Sequence, residues 1–177
     1  MSTLRRAGST DVEALAALAR RTWREMSLVD FAMPYSAEDI AAFEGEKSSE
    51  AVVRARLLDR DQATWVIDDE GKLIGYADAG PCSLPHPDVA ASDMELNRLY
   101  VSRAKQGQGH GGRLMQAALA WMGTRSAGAQ WIGVWSGNRK AQAFYAAYGF
   151  ETVGEYDFPI GQWIDRDFIM RRTRPSQ

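Results

Sequence analysis

The stretch QGQGHGGRLMQAALAWM, residues 106–122, crowds Gly107, Gly109, Gly111 and Gly112 into six positions and then runs at once into a helical pattern. Glycines let backbone N–H groups approach an anion closely, and a helix start offers a positive dipole end. The loop therefore predicts a phosphate cradle opening a helix, and a fold able to hold one. Three phosphate-binding architectures compete for it.

The string contains G-x-G-x-x-G as Gly107, Gly109 and Gly112. A dinucleotide fold also needs an acidic residue at the end of the next strand, about 20 positions on, to hold a ribose. Here that strand ends VWSGN, no carboxylate follows until Glu151, and the loop lies mid-chain after a hairpin. A nucleoside-triphosphate loop needs Lys then Ser or Thr after its last glycine. Gly112 is followed by Arg113 and Leu114, so a hydroxyl ligand for magnesium is missing. Both readings fail.

The third reading is Gln-x-x-Gly-x-Gly, carried by Gln106, Gly109 and Gly111, after a strand ELNRLYV and before an amphipathic helix. A second motif follows: Asn138, Ala141, Phe144, Tyr145, Gly149 and Phe150 match N-x-x-A-x-x-F-Y-x-x-x-G-F. Seven residues separate Asn138 from Tyr145, which sets them two turns apart on one helix face. On these residues the chain resembles the GNAT superfamily of acyl-CoA-dependent N-acetyltransferases over nearly its whole length. The resemblance implies that Gln106, Gly107, Gln108, Gly109, His110, Gly111 and Gly112 wrap the pyrophosphate of acetyl-CoA. It also implies that Leu99, Tyr100 and Val101 offer backbone groups to the pantetheine arm, with Asn138 on the same cofactor. Many members of the family pair as homodimers.

The rest of the chain fits that order. At 177 residues it predicts one domain, residues 1–177. Thr10 and Glu13 suggest a capping box for a first helix with apolar spacing Val12, Leu15, Ala16, Ala19, Trp23, Met26. A second helical region starts at Ser36, with interruptions expected at Gly45 and Ser48–Ser49. ATWVI and KLIGYADAG flank DDEG as a hairpin, and FETVGEYDF with DRDFIMRR reads as an antiparallel pair. The predicted class is α/β (α+β): about seven strands in a mixed sheet, about four helices, order β-α-α-β-β-β-α-β-α-β-β.

Composition excludes other classes. A net charge of −2 and pI near 5.7 lack the basic footprint of nucleic-acid binding. No window approaches the roughly 20 apolar residues of a membrane span, and the first twenty residues lack a signal-peptide pattern. A cytoplasmic location is expected. With two histidines and Cys82 as the one cysteine, neither a disulfide within the chain nor a nitrogen–sulfur metal site is expected.

Acetyl transfer requires a held donor, a deprotonated amine, a stabilised oxyanion and a protonated thiolate. The resemblance assigns Tyr145 as the acid, and a phenol titrating near roughly pH 10 keeps its proton at neutrality. The competing reading is a buried aromatic with an incidental hydroxyl partner. Glu95, on the strand leading to the loop, is the candidate base; a salt bridge to Arg98 or to a neighbouring strand is its alternative. The resemblance further implies a backbone N–H near Val101 for the thioester oxygen. His110 is expected at the surface near phosphate, His86 in an exposed loop, Cys82 as a small buried hydrophobe, and Tyr148 as packing.

The resemblance implies an acceptor that is a small-molecule amine, a polyamine among them, or a peptide amine. The segment YDFPIGQWIDRDFIM resembles the C-terminal strands of small bacterial polyamine N-acetyltransferases through Phe158, Gly161, Asp167, Ile169 and Met170. Gln162 stands where an acid is usual. Asp30, Glu38, Asp39, Glu44, Glu46 and Glu50 suggest attraction for a polycation, or simply solvated helix faces. Trp23, Phe31, Tyr35 and Phe43 suit an aromatic wall or the core. A non-catalytic acyl-CoA-binding module on the same fold is the rival function, and retention of Tyr145 and Asn138 favours the enzyme.

Overall fold

Alternating and fully apolar strand segments, separated by helices with one apolar face, leave one economical solution: a sheet covered on both sides. The computed structural model describes residues 1–173, so the last four residues of the expected domain lie outside the described residues. Strand β1 (Ser2–Arg6) is followed by α1 (Val12–Arg24), α2 (Ala37–Ser48) and α3 (Glu50–Leu58). Strands β2 (Ala63–Asp69), β3 (Lys72–Pro81) and β4 (Met94–Val101) then lead to α4 (His110–Arg125). Strand β5 (Gln130–Trp135), α5 (Arg139–Ala146), β6 (Glu151–Ile160) and β7 (Trp163–Arg172) complete the order.

The seven strands form one sheet in the order β1-β2-β3-β4-β5-β7-β6. Every neighbouring pair is antiparallel except β4 and β5, so the sheet is mixed, as the hairpin signals implied. Glu70 and Gly71 both take positive φ in the β2–β3 turn, the geometry that a two-residue hairpin loop needs. One face of the sheet packs Leu15, Leu18 and Ala19 of α1, with Val53 of α3, on Val66 and Tyr76. The other packs Leu114, Met115, Ala118 and Met122 of α4 on Ile67, Ala77 and Leu96.

Two local expectations need correction. The first helix does not start on a Thr10–Glu13 box. Asp11 wins instead, its carboxylate accepting from Gly8 N–H at 2.8 Å while Arg5 closes on it with two contacts of 2.8 Å. A charged partner already in place outbids a neutral hydroxyl for the same turn. The second helical region does start at Ser36, whose hydroxyl accepts from Asp39 N–H at 3.0 Å. Gly45 runs unbroken inside α2, and the break falls at Ser49, where ψ is 154° and the side chain caps α3. Among the described residues the break gives α2 and α3 in place of one helical region.

Candidate functional site

Strands β4 and β5 pair only at Met94–Gln130 and Glu95–Trp131. Beyond that point β4 stays with β3 as far as Val101–Gly75, and β5 stays with β7 as far as Trp135–Asp167. From Leu96 to Val101 the edge of β4 that faces β5 has no strand partner. A bulge at Asn97 shifts the β3 register between Asp78–Arg98 and Ala79–Leu96, and bulges re-aim the strand beside a site. The Ser102 N–H donates to Ile74 on β3 at 2.8 Å; by strand alternation the N–H groups of Val101 and Leu99 face the gap.

A cavity of about 980 Å³ fills this gap and reaches from the glycine loop to the β6–β7 hairpin. Leu99, Tyr100, Val101, Gln106, Gly107, Gly109 to Gly112, Asn138 and Tyr145 all line it. Gln108 is exposed and does not line it. Gly107 and Gly109 have φ of +76° and +80°, with open space where a Cβ would stand. Gly109 caps α4, and the first backward bond is Arg113 N–H to Gly109 O at 3.1 Å. The N–H groups of His110, Gly111 and Gly112 therefore lack helical acceptors, which is the donor set an anion requires. A Cβ at Gly112 would stand 3.1 Å from the Tyr148 hydroxyl, so glycine there lets α4 pass close to the end of α5.

His110 departs from expectation. It is 8% exposed, not on the surface, and among the described residues its Nδ1 has no partner. Gln106 spans the mouth of the gap: its Nε2 donates to Val101 O at 3.1 Å and its Oε1 accepts from Lys140 Nζ at 2.8 Å.

Asn138 caps α5, its Oδ1 accepting from Ala141 N–H at 3.0 Å, which leaves its amide N–H groups for the cavity. Two turns on, Tyr145 is 7% exposed. Burial, with the neighbouring Tyr100, pushes its phenol above the ordinary range, so the hydroxyl is a proton donor at neutrality. Glu95 is buried and faces the same cavity. Its carboxylate accepts from Ser83 N–H at 2.9 Å and Ser83 Oγ at 3.2 Å. Burial raises its pKa against those bonds. The alternative salt bridge to Arg98 does not form. Arg98 lies 3.6 Å from Asp78, which also holds Arg56 at 2.5 Å and Thr64 Oγ1 at 2.7 Å.

The far half of the cavity is aromatic. Trp23, Phe31, Tyr35 and Phe43 all line it. Trp23 stacks on Tyr35 at 5.7 Å and on Phe43 at 4.5 Å, and Phe31 meets Trp135 edge-on at 4.8 Å. A π-helical turn, Glu25–Asp30, extends α1 along this wall, a form often found at functional sites. Of the acidic residues expected to attract a polycation, Asp30 alone lines the cavity, and Arg103 neutralises it at 2.9 Å. Glu44 pairs with Arg24, and the Asp39 carboxylate accepts from the Ser36 hydroxyl and N–H and from the Gln162 N–H. The other carboxyls that line it are Glu95, Asp165 and Asp167. Sequence spacing did not single out Asp165 as a site residue; the alternation of β7 that puts it beside Asp167 on one face was the available signal.

Two other expectations resolve simply. His86 Nδ1 accepts from Asp88 N–H at 3.2 Å and its ring lies 5.2 Å from Trp131, away from the cavity lining. Cys82 is half-buried against Leu84, Trp131 and Ile169, and burial pushes its thiol up to about 12.

Comparison with known proteins places this geometry. The model of the acetyltransferase (GNAT) family matches residues 17–150. An uncharacterized N-acetyltransferase of Mycobacterium tuberculosis is 33% identical over 165 residues, covering 92% of this chain and 97% of that protein. The phosphinothricin N-acetyltransferase of Alcaligenes faecalis is 30% identical over 143 residues, 74% of this chain and 68% of that protein. The crystal structure of PaiA N-acetyltransferase from Thermoplasma acidophilum in complex with coenzyme A shares the fold. Its TM-score is 0.78 at 22% identity, over 98% of this chain and 99% of that one. The chain belongs to the acetyltransferase (GNAT) family and is an acyltransferase.

Proposed function

We propose that the chain transfers the acetyl group of acetyl-CoA directly to a primary amine of a small molecule or a peptide. One observation carries this reading: the protonated Tyr145 phenol and the Glu95 carboxyl face one cavity, between the glycine loop and the aromatic wall. A binding module would need the loop but not the pair.

Acetyl-CoA, when bound, supplies a thioester carbon open to attack by an amine. The N–H groups of the glycine loop neutralise pyrophosphate charge through the dipole of α4. The gap-facing edge of β4 offers donors for the amides of the pantetheine arm, and the Val101 N–H polarises the thioester oxygen. Glu95 takes the proton released by the attacking amine, directly or through water. As the nitrogen–carbon bond forms and the carbon–sulfur bond breaks, Tyr145 gives its proton to the sulfur and recovers one from solvent.

The test is release of free CoA thiol from acetyl-CoA over a panel of amines and N-terminal peptides. Amine-dependent release is the expected result. Tight acetyl-CoA binding with no release on any amine would return the chain to the binding-module reading.

A further inference from the structure

Asp167 lies on β7, opposite Trp135 of β5 and Tyr156 of β6. It is 9% exposed and lines the cavity, yet among the described residues its carboxylate makes neither a hydrogen bond nor an ion pair. Every other carboxylate of the cavity is engaged. Asp165 accepts the Tyr35 hydroxyl and, at 2.8 Å, the Trp163 indole N–H. Glu95 is held by Ser83, and Asp30 by Arg103. The cations on the acceptor side, Lys47 and Arg98, are paired with Glu46 and Asp78.

The Asp167 oxygens therefore open on the cavity alone, and a ligand that fills that space and displaces its water must itself supply the carboxylate's partner. The surroundings say what kind of ligand. Trp23, Tyr35 and Phe43 form a stacked wall, and Phe158 meets Phe43 edge-on at 6.2 Å. Such faces receive an apolar body and favour a cation beside it. We infer that Asp167 is the docking carboxylate for the acceptor's ammonium, and that the acceptor carries one positive charge on an apolar body of aromatic size. This rests on the transferase reading and names its substrate class. A chain of several ammonium groups would need several carboxylates with open lone pairs; Asp165 and Glu95 commit theirs to Tyr35, Trp163 and Ser83, and among the described residues of the lining Asp167 alone keeps both oxygens open.

The electrostatics agree. Burial, together with the charge of Asp165, pushes the Asp167 carboxyl up to about 7, a penalty that an arriving ammonium relieves. The other titratable groups around it are the phenols of Tyr35, Tyr100 and Tyr156, the last also within the field of Glu95.

The experiment compares wild type with Asp167→Asn, using phenethylamine, spermidine and an alanine-initiated peptide at saturating acetyl-CoA. Amine binding is read separately by tryptophan fluorescence, since Trp23 and Trp135 line the chamber. Phenethylamine should exceed spermidine in kcat/KM in the wild type. Asp167→Asn should raise the phenethylamine KM and Kd by about tenfold to a hundredfold, the worth of one hydrogen bond to a charged group. The acetyl-CoA KM and the thermal shift given by acetyl-CoA should stay unchanged, which shows that the variant is folded with its donor site intact. Transfer with an unmoved amine KM, or a preference for spermidine, overturns the inference and leaves the transferase standing. Loss of any acetyl-CoA thermal shift in the wild type would bring down the transferase reading, and the inference with it.

Discussion

The Gln162 N–H donates to Asp39 Oδ1 at 2.7 Å, which fastens the β6–β7 turn to the first turn of α2. Those two elements form the outer wall of the aromatic chamber. Gly161 makes the approach possible, with φ of +60° and a virtual Cβ only 2.4 Å from the same Asp39 oxygen. Gly161→Ala should therefore cost roughly 1–3 kcal/mol of stability from left-handed strain, with the lost contact added. Denaturant unfolding checks this; a midpoint equal to wild type would show that the turn moves freely.

Gly109→Asp should fold normally, because aspartate tolerates left-handed backbone better than most residues and suits a helix start. Its charge, however, stands where an anion would bind. The wild type should gain thermal stability with acetyl-CoA, about 2.7 kcal/mol at a hundred times Kd. The variant should gain almost nothing. A full shift in the variant would move the phosphate site elsewhere.

Tyr145→Phe keeps the ring and its packing against Phe144 and Phe150. If the phenol protonates the leaving sulfur, kcat should fall by about 10²–10⁴, the usual range for general acid catalysis. Acetyl-CoA affinity should hardly change. Near-normal turnover on a good acceptor would assign the proton to water or another group.

Glu95→Gln tests the other proton. Burial holds the Glu95 carboxyl above its usual range, so the wild type should lose activity as pH falls toward that raised pKa. The variant's deficit should be largest at neutral pH and shrink as pH rises and more amine is already neutral. A deficit that stays constant with pH would make Glu95 a structural anchor for Ser83.

Asp167 also makes a statement about stability. Its carboxyl is raised from 3.8 to about 7 on folding. Its contribution is fully present below about pH 4 and is lost as pH rises through 7. Asp167→Asn escapes that loss. The variant should match wild-type Tm near pH 4 and exceed it by a few degrees, on the order expected for one to two kcal/mol, near pH 8. A lower Tm at high pH would mean that the carboxylate is stabilised by something it touches.

The sheet and the glycine loop before α4 were legible because both are local signals. Period-2 runs, a DDEG turn and four glycines before a helical repeat each lie within a few residues. The aromatic chamber was not, because its parts meet only through tertiary packing. Tyr35 and Asp165 are 130 positions apart, and no spacing rule links them. Competition between neighbours was likewise hidden. Nothing in the string ranks Asp11 above Thr10 as the partner of the first turn until Arg5 arrives from β1. His110 looked like a solvent-facing filler, and only its packing at the start of α4 in the folded chain buries it.

The parting of β4 from β5 separates two kinds of inheritance. The open edge from Leu96 to Val101 presents peptide groups, which are the same whatever side chains the strand carries, and on the proposed reading these are what a donor meets. That half of recognition travels with the backbone and tolerates drift in sequence. The chamber at the other end is written in side chains, Trp23, Tyr35, Phe43 and Asp167 among them, each open to replacement one at a time. A single scaffold can thus keep its acyl donor while exchanging one amine for another.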